Sequence, residues 1–342
     1  MNLKIKKVIG CGGIGKGLLF HSPNNETLGR SESRLVTISN AKDYCKQQIV
    51  FYYIAELLKG KCEVIPVGAV GDDNIGTELV NIMLRQGMDV RYIKQISGTS
   101  TMLSICLQYP DKEGCNFTAQ NNAAEYVTPE FIEQALERID INEECCLVAV
   151  PEVPIESRIR MLEIGKKKGA MCVLSVPISE ADTFEKSDIY AKCDLIAVNE
   201  EEAQAMAKCE YQGERLASCL TKYLQRWNPD IKVCMTAGSK GAFCGEKDGL
   251  EFIPSYPAEA VNTTGAGDAF LGGVVSGLIM GLPFRKEEND KKFGDSTLCS
   301  ATELATLCAG MAVECEDSIA ENVTIESIKE RINLHKWKQK LL

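Results

Sequence analysis

Short apolar runs that alternate with longer amphipathic segments constrain the fold of this 342-residue chain more than any other feature. The runs have the length of strands and are apolar throughout, which is typical of parallel strands covered by helices on both faces. Strands are predicted at residues 4–9, 63–68, 146–150, 172–176, 195–198, 232–236 and 251–253. Helices are predicted at residues 42–59, 77–86, 129–138, 155–168, 200–206 and 213–226. The alternation predicts an α/β fold with a central, mostly parallel sheet flanked by helices.

Residues 99–118 depart from this alternation. Positions 101, 103, 105, 107 and 109 form a period-2 pattern, and residues 111–114 have the chemistry of a turn. The pattern predicts a β-hairpin inserted into the α/β chain. Together with residues 29–39, the hairpin is predicted to form a small β lid over a cleft. We therefore expect a single domain over residues 1–342, with lid segments at about 15–40 and 98–120 and a charged loop at 283–297.

The charge and the cysteines argue against several classes of function. A net charge of −10 argues against a nucleic-acid-binding surface, because phosphate contacts need clustered Lys and Arg. The sixteen cysteines include no CxxC pair and several lie in apolar runs, so neither a disulfide framework nor a zinc site is indicated. No apolar stretch has the roughly 20 residues that span a bilayer. With a polar start and no signal peptide, a cytoplasmic protein without a membrane partner is expected.

Three glycine clusters follow predicted strands and are candidate phosphate sites. The first, residues 10–17, fits G-x-G-x-x-G and most of a P-loop, yet no helix follows to direct its amides at a phosphate. We therefore interpret it, with Gly12 and Gly13, as a strand-to-turn corner that lines a pocket. The second, residues 236–241, lies where nucleotides bind in parallel sheets. A simple hairpin turn into residues 242–244 is an equal alternative there.

The third cluster, residues 262–270, has the context that phosphate chemistry requires. Gly265, Ala266 and Gly267 carry little bulk, so successive amides can converge on an anion, and an apolar helix is predicted over residues 269–282. Asp268 would repel a passively bound phosphate. Its presence is explained if the carboxylate takes a proton from an attacking hydroxyl while the amides hold the charge of the transferred group. A first-turn Asp favoured by the helix dipole is the alternative.

Asn199 and Glu202 lie three residues apart at the start of a predicted helix. A carboxylate and an amide near a triphosphate suit Mg²⁺, directly or through its waters. An N-terminal capping box is the structural alternative, and the two interpretations are compatible.

In this order, the motifs resemble the ribokinase family of carbohydrate kinases, also called the PfkB family. The resemblance is carried by residues 263–270, by Asn199 with Glu202, and by residues 236–241, 71–76 and 121–123. It extends from about residue 60 to residue 315. It implies a ribokinase-like fold with a β lid, ATP along the carboxyl edge of the sheet, and transfer of a γ-phosphoryl group to an alcohol, usually of a sugar.

The resemblance also implies roles for individual residues. Asp268 would be the catalytic base, and Gly265, Ala266 and Gly267 would form the anion hole. Residues 71–76 would support the substrate side. The metal Mg²⁺ would be organised by Asn199 and Glu202 through water, and the nucleotide would be bordered by Thr236, Gly238, Lys240, Gly241, Asn199 and Thr264. Lids of this family often pair, so a homodimer through the lid is one expectation, although the sequence alone identifies no exposed apolar lid face.

The acceptor side departs from the family pattern. The family's early substrate Asp would fall near Gly15, and residues 43–48 read DYCKQQ instead of Gly-Gly-x-x-x-Asn. Asn262 stands where the family often has an Asp beside a monovalent cation, which weakens the expectation of potassium activation. The residues predicted to bind the acceptor are Gly12, Gly13, Asn25, Arg30 and Asn121, with Asn24 and Arg34 as further polar candidates.

Three other functions stay open. A nucleoside kinase would share the same phosphate motifs. A non-catalytic protein of this fold would bind a sugar or nucleotide as a sensor, although it would gain by losing the repulsive carboxylate of Asp268. An oxidoreductase would use residues 10–15, which lack the helix that a dinucleotide site needs.

Overall fold

The computed structural model describes residues 3–111, 114–247, 249–286, 298–321 and 323–335, with the backbone alone described at 333–335. Most of the charged loop predicted at 283–297 lies outside these ranges. The strands are β1 (Lys7–Cys11), β2 (Gly15–His21), β3 (Thr37–Ile38), β4 (Asp43–Tyr44), β5 (Glu63–Gly71), β6 (Ile93–Ile96), β7 (Met102–Gln108), β8 (Gly114–Thr118), β9 (Cys145–Ala149), β10 (Met171–Ser175), β11 (Leu195–Asn199), β12 (Lys232–Thr236), β13 (Gly241–Glu246) and β14 (Gly249–Pro254). The α-helices are α1 (Lys46–Leu57), α2 (Asn74–Arg85), α3 (Pro129–Glu137), α4 (Ile155–Lys167), α5 (Ala181–Lys186), α6 (Glu200–Ala207), α7 (Gly213–Gln225), α8 (Ala266–Ile279), α9 (Ala301–Val313) and α10 (Ile325–His335).

The central sheet has the strand order β14-β13-β12-β11-β10-β9-β1-β5-β6. Neighbouring strands are parallel from β12 to β6, and the β12–β13 and β13–β14 pairs are antiparallel. Along β9, Cys146 and Val148 enter one core cluster while Leu147 and Ala149 enter the other. The helices α1, α2, α8, α9 and α10 cover one face and α3 to α7 the other. The predicted α/β fold with a mostly parallel sheet is confirmed, because the continuous apolar runs do face helices on both sides.

A second sheet of five strands has the order β3-β2-β7-β8, with β4 also paired to β2. The β7–β8 pair is the predicted hairpin. Met102 and Ser104 point toward the body and are buried, whereas Ile105 and its cross-strand partner Phe117 are exposed. The period-2 apolar residues of β7 therefore face away from the body. We call this second sheet the lid.

Two predicted boundaries were wrong for identifiable reasons. The helix predicted from residue 42 begins at Lys46, because Asp43 and Tyr44 pair with β2 as β4. The helix predicted from residue 269 begins at Ala266, so Asp268 already lies in its first turn. The corner after β1 leads into the lid strand β2 and not into a helix, as the lack of a helical pattern predicted. Within the described ranges, no helix combines the length and apolarity needed to cross a membrane.

Candidate active site

A cavity of about 640 Å³ opens at the carboxyl edge of the central sheet. The ends of β11 and β12, the start of α8 and the start of α1 line it. Of the predicted residues, it is lined by Asn199, Glu202, Thr236, Gly238, Gly241, Gly265, Ala266, Gly267 and Asp268. The structure therefore brings together three motifs whose outermost residues, Asn199 and Asp268, are 69 positions apart in the sequence. The volume of the cavity lies within the ~300–1,000 Å³ typical of small-molecule sites.

The loop before α8 depends on a glycine at its last position. Gly265 has a φ of 80°, in the left-handed region that glycine favours, and it is the N-cap residue of α8 without a side-chain cap. A Cβ atom at this position would lie 2.3 Å from the carbonyl oxygen of Ser318. The Ala266 amide donates to the Thr263 carbonyl at 3.3 Å. Because no side chain caps this turn, the amides of Gly267 and Asp268 face the positive end of the helix, where an anion is stabilised.

The same loop is held in place by Asn262. Its Nδ2 donates to the carbonyl oxygen of Glu316 at 2.8 Å, and its Oδ1 accepts from the amide of Thr264 at 3.0 Å. Its own amide donates to the carbonyl of Val313. The side chain that replaces the family's Asp thus links the loop to the segment that follows α9.

Asp268 lies on the cavity wall in the first turn of α8, next to Lys46. The Lys46 Nζ is 3.7 Å from Asp268 Oδ1. Burial raises the pKa of Asp268, and Lys46 opposes that rise. The charge of Asp268 in turn raises the pKa of Lys46, so the lysine stays protonated. A carboxylate with a raised pKa that is still paired to a cation suits a general base.

Asn199 and Glu202 form the capping box of α6. Asn199 Oδ1 accepts from the Glu202 amide at 2.8 Å, and Glu202 Oε2 accepts from the Asn199 amide at 2.8 Å. Burial raises the pKa of Glu202, and the nearby charge of Asp268 raises it as well. The structural interpretation of this pair is confirmed, and the carboxylate also contributes negative charge to the cavity.

The second glycine cluster forms a hairpin turn between β12 and β13, as the structural alternative predicted. Gly238 has a φ of 55° and Gly241 a φ of 129°. Thr236, Gly238 and Gly241 line the cavity nonetheless, whereas Lys240 is not among its lining residues. The turn therefore serves the hairpin and also borders the site.

Glu152, which the sequence interpretation missed, lies beside Lys46 and the glycine corner after β1. It has a left-handed φ of 78°, unusual for a residue with a side chain, and its Oε2 accepts from the Lys46 amide at 3.1 Å. A Cβ at Gly13 would lie 2.8 Å from Glu152 Oε2, so the glycine corner packs directly on this carboxylate. Burial raises the pKa of Glu152 to about 7, opposed by Lys46 and assisted by Asp268. The sequence does contain a signal for Glu152: it is an acidic residue shortly after β9, at the edge of a parallel sheet where ligands usually bind.

Comparison with known proteins identifies the family. Residues 50–325 match the model of the pfkB family carbohydrate kinases. The chain belongs to this family. It is 24% identical to a ribokinase of Haemophilus influenzae over 213 residues, which cover 62% of this chain and 67% of the relative. It is 28% identical to a deoxyribokinase of Salmonella typhi over 218 residues, which cover 61% and 67%.

Solved structures of this fold extend the similarity to nearly the whole chain. A ribokinase of Giardia lamblia has a TM-score of 0.79 at 19% identity, covering 95% of this chain and 99% of that one. A Burkholderia thailandensis nucleoside kinase solved in complex with inosine has a TM-score of 0.73 at 19% identity, covering 96% and 98%. These two likenesses show the ribokinase-like fold of this pfkB carbohydrate kinase.

The remaining predicted residues of this pfkB kinase lie in different places. Gly12 and Gly13 are buried in the corner after β1, next to Gln47 and Glu152. A second cavity of about 300 Å³ lies under the lid. Neither it nor the main cavity at the sheet edge is lined by Thr264, Asn25, Arg30 or Asn121. Asn25, Arg30 and Asn121 are exposed. Asn25 Oδ1 accepts from the amide of Asp111, and Asn121 has a left-handed φ of 56° and donates its amide to Glu125.

Proposed function

We propose that this carbohydrate kinase transfers the γ-phosphoryl group of ATP to a hydroxyl of a sugar or sugar-like molecule, with Asp268 as the general base. The observation that carries the proposal is the position of Asp268. Its carboxylate lies in the uncapped first turn of α8, on the wall of the main cavity and next to Lys46. A proton acceptor and a set of anion-binding amides then act on the same reacting group.

The lining of the cavity supports this proposal. Gly238, Gly241 and Ala258 are small, so a flat base would fit between them, and the first turn of α8 would bind the end of the phosphate chain. ATP supplies the phosphoryl group as the second substrate. The first-turn amides and Lys46 would bind negative charge that accumulates on the transferred group.

Glu202 and Asn199 fit Mg²⁺ as ligands of its waters. One oxygen of each side chain accepts a hydrogen bond in the capping box. The Glu202 carboxylate also adds negative charge near Asp268, and Lys46 is the cation that acts on both carboxylates. A bound Mg²⁺ would neutralise phosphate charge in this acidic surrounding. A monovalent cation is not expected beside Asn262, because its side chain already joins Thr264 to Glu316.

The proposal is tested by a phosphoryl-transfer screen over sugars and nucleosides with ATP and Mg²⁺. Asp268→Asn is expected to lower kcat by about 10²–10⁴-fold, because it removes the base but keeps the shape of the site. Asp230→Asn, an exposed position on the body, serves as the matched control and should keep native activity. Turnover of nucleosides alone would favour the nucleoside kinase. ATP binding without transfer to any acceptor would favour a non-catalytic sensor.

The outward face of the lid supports a homodimer. Ile105, Phe117 and Ile38 are 42%, 66% and 56% exposed, and Leu35 in the preceding loop is 94% exposed. Leu18 pairs with Ile105, which also pairs with Phe117, so these side chains share one face. An apolar face of this kind, on an element that pairs in related proteins, fits a second copy of the chain. Light scattering should give a dimer for the native protein and a monomer for the double variant I105S/F117S.

A cytoplasmic location is also proposed. Two pairs of thiols lie within contact distance without a bond: Cys209 with Cys219 at 4.0 Å, and Cys234 with Cys244 at 3.9 Å. Free thiols this close persist in a reducing compartment. Isolation under thiol-blocking conditions, followed by mass spectrometry, should recover these four cysteines as modified thiols.

A further inference from the structure

Two pairs of cysteines share the same spacing in the chain and nearly the same distance between their sulfurs. Cys209 and Cys219 are 10 positions apart, with their Sγ atoms at 4.0 Å. Cys234 and Cys244 are also 10 positions apart, with their Sγ atoms at 3.9 Å. Because a disulfide would close a loop of the same length in both pairs, the chain entropy of closure does not distinguish them. A difference in reactivity must therefore come from their surroundings.

Access to solvent separates the two pairs. Cys234 and Cys244 are direct partners in the neighbouring strands β12 and β13, and both side chains are 0% exposed. Burial raises the pKa of Cys244 well above that of an ordinary thiol. Cys209 and Cys219 are each only partly buried. An oxidant can therefore reach the Cys209–Cys219 pair, whereas the sheet shields the Cys234–Cys244 pair.

The position of Cys209 in the chain also favours closure of its pair. Cys209 lies in the segment between α6 and α7, so its sulfur can move without unwinding a helix. A disulfide holds its sulfurs at about 2.05 Å, so the pair must close by about 2 Å. Burial raises the pKa of Cys219, and the nearby cations Arg215 and Arg226 oppose that rise. These two arginines favour the thiolate, which is the form that reacts with oxidants.

The segment that carries Cys209 is hydrogen-bonded to both ends of α6. At the end of the helix, the Cys209 amide donates to the Gln204 carbonyl at 3.2 Å, and Gln204 Nε2 donates to the Tyr211 carbonyl at 2.9 Å. At the start of the helix, Glu200 Oε1 accepts from the Gly213 amide at 3.0 Å. Glu200 also lines the main cavity. A shift of Cys209 toward α7 therefore changes how α6 packs on α7, and Glu200 carries that change to the cavity wall.

We propose that Cys209 and Cys219 are a redox modification site, which a peroxide oxidises reversibly to a disulfide that weakens nucleotide binding. Formation of the disulfide does not depend on the proposed kinase function, whereas its effect on the nucleotide rests on that function. The start of α6 supplies Asn199 and Glu202, the two residues proposed to hold the waters of Mg²⁺. Because the disulfide displaces α6, it positions this pair less well and lowers the affinity for ATP with Mg²⁺.

Oxidation by hydrogen peroxide balances in two steps. The sulfur of one thiolate attacks a peroxide oxygen and the O–O bond breaks, which leaves a sulfenic acid and, with the proton that this thiol released, one water. The sulfur of the other thiol then attacks the sulfenic sulfur, so the S–S bond forms, the S–O bond breaks and a second water leaves. The two thiols thus lose two electrons and two protons, and the peroxide becomes two waters. Dithiothreitol returns the electrons by two exchanges through a mixed disulfide.

The test treats the native full-length chain with increasing concentrations of hydrogen peroxide. Free thiols are then blocked, and disulfides are assigned by mass spectrometry of peptides. The Cys234–Cys244 pair of the same molecule is the internal control. C209S and C219S each remove the site, and C115S removes an exposed thiol of the lid as the matched control. Binding of ATP with Mg²⁺ is measured by calorimetry before oxidation, after oxidation and after dithiothreitol.

The expected results link the disulfide to the nucleotide. Peroxide should join Cys209 to Cys219 in the native protein and in C115S, and Cys234 and Cys244 should remain thiols. The Kd of ATP should rise by about 5–50-fold, and dithiothreitol should restore it. C209S and C219S should bind ATP as the reduced native protein does, before and after peroxide. Because such coupling is reciprocal, saturating ATP should lower the equilibrium constant for disulfide formation in a glutathione buffer by the same factor.

Three outcomes would overturn the inference. These are thiols at Cys209 and Cys219 that survive the peroxide concentration at which Cys115 is oxidised, a Cys234–Cys244 disulfide that forms as readily, and a Cys209–Cys219 disulfide that leaves the Kd of ATP unchanged. ATP binding that responds to oxidation, with no phosphoryl transfer to any acceptor, would remove the proposed function and support the redox site. Phosphoryl transfer with the same Kd of ATP in both redox forms would keep the function and remove the redox control.

Discussion

On the donor side of the cavity, residues 236–241 and 263–268 present mainly backbone groups from two short segments. On the proposed acceptor side, Lys46 at the start of α1 lines the cavity and pairs with Asp268. Its neighbour Glu152, in the loop after β9, binds the Lys46 amide but does not line the cavity. Glycine residues and the start of a helix set the backbone geometry locally, so a contiguous stretch of sequence determines it. Side-chain chemistry depends on which segments meet. We therefore expect changes on the donor side to remove activity and changes on the acceptor side to adjust its range.

Gly265→Ala tests the donor side most severely. A Cβ would clash with the Ser318 carbonyl oxygen at 2.3 Å and disfavour the φ of 80°, so the anion-binding loop must shift. We expect kcat to fall by about 10²–10³-fold, the usual loss when such a donor is misplaced. Gly281→Ala is the matched control, since it has a φ of 83° but open space around it, and it should cost stability without lowering kcat.

Glu202→Gln removes charge from the donor side while keeping the capping box, because Gln at N3 still accepts from the Asn199 amide. We expect the Mg²⁺ concentration at half-maximal rate to rise by about tenfold. Glu210→Gln changes an exposed carboxylate that does not line the cavity and should leave the Mg²⁺ titration unchanged. An unaltered titration for Glu202→Gln would confine this residue to capping α6.

Lys46→Met links the two sides, because Lys46 is the cation that opposes the raised pKa of Asp268. Its loss raises that pKa further, and the base must be ionised to act. The acid limb of the kcat profile should therefore move to higher pH, by about one unit. Lys59→Met, at a largely exposed lysine, is the control and should not move the profile. A shift to lower pH would contradict the ion pair as the dominant interaction.

Glu152→Gln is expected to have the smallest effect, seen in stability. Folding raises the pKa of Glu152 to about 7, so the folded state favours its protonated form. Native stability should decrease as pH rises from about 4.5 through 7, by about 3 kcal/mol at most for this group. The variant should lose that part of the pH dependence in chemical denaturation. Glu156→Gln, an exposed residue of α4, should retain the native slope.

The fold was predictable where both faces of a strand are buried. The prediction at residues 232–236 has the same bounds as β12, since every second side chain enters a different core cluster. The lid segment predicted at about 15–40 contains β2, but no strand was predicted at its bounds. Its sequence, GKGLLFH, is only partly buried and has glycine at its first and third positions, which leaves no side-chain pattern there. The all-round apolar helix α9 shows no amphipathic period to mark it.

The residues of the candidate site also differ in whether local sequence is enough to predict them. The motif at residues 263–270 predicted a site at Asp268, and the structure places that residue on the cavity wall. The pairing of Lys46 with Asp268 depends on the packing of α1 against α8, which no local pattern reveals. Exposed polar residues such as Asn25 and Arg30 were predicted to bind the acceptor from their residue type alone. Whether a side chain faces a pocket depends on its burial, which follows from tertiary structure.

At the uncapped start of α8, selection for stability and selection for activity favour different residues at position 268. The ionised form of Asp268 opposes folding, because folding raises its pKa, and that loss of stability grows as the pH rises through the folded pKa. A library selected only for survival of heating should therefore replace this carboxylate by neutral side chains. Such clones would keep the fold and lose turnover. Heat resistance alone is thus a misleading screen for improved versions of this enzyme.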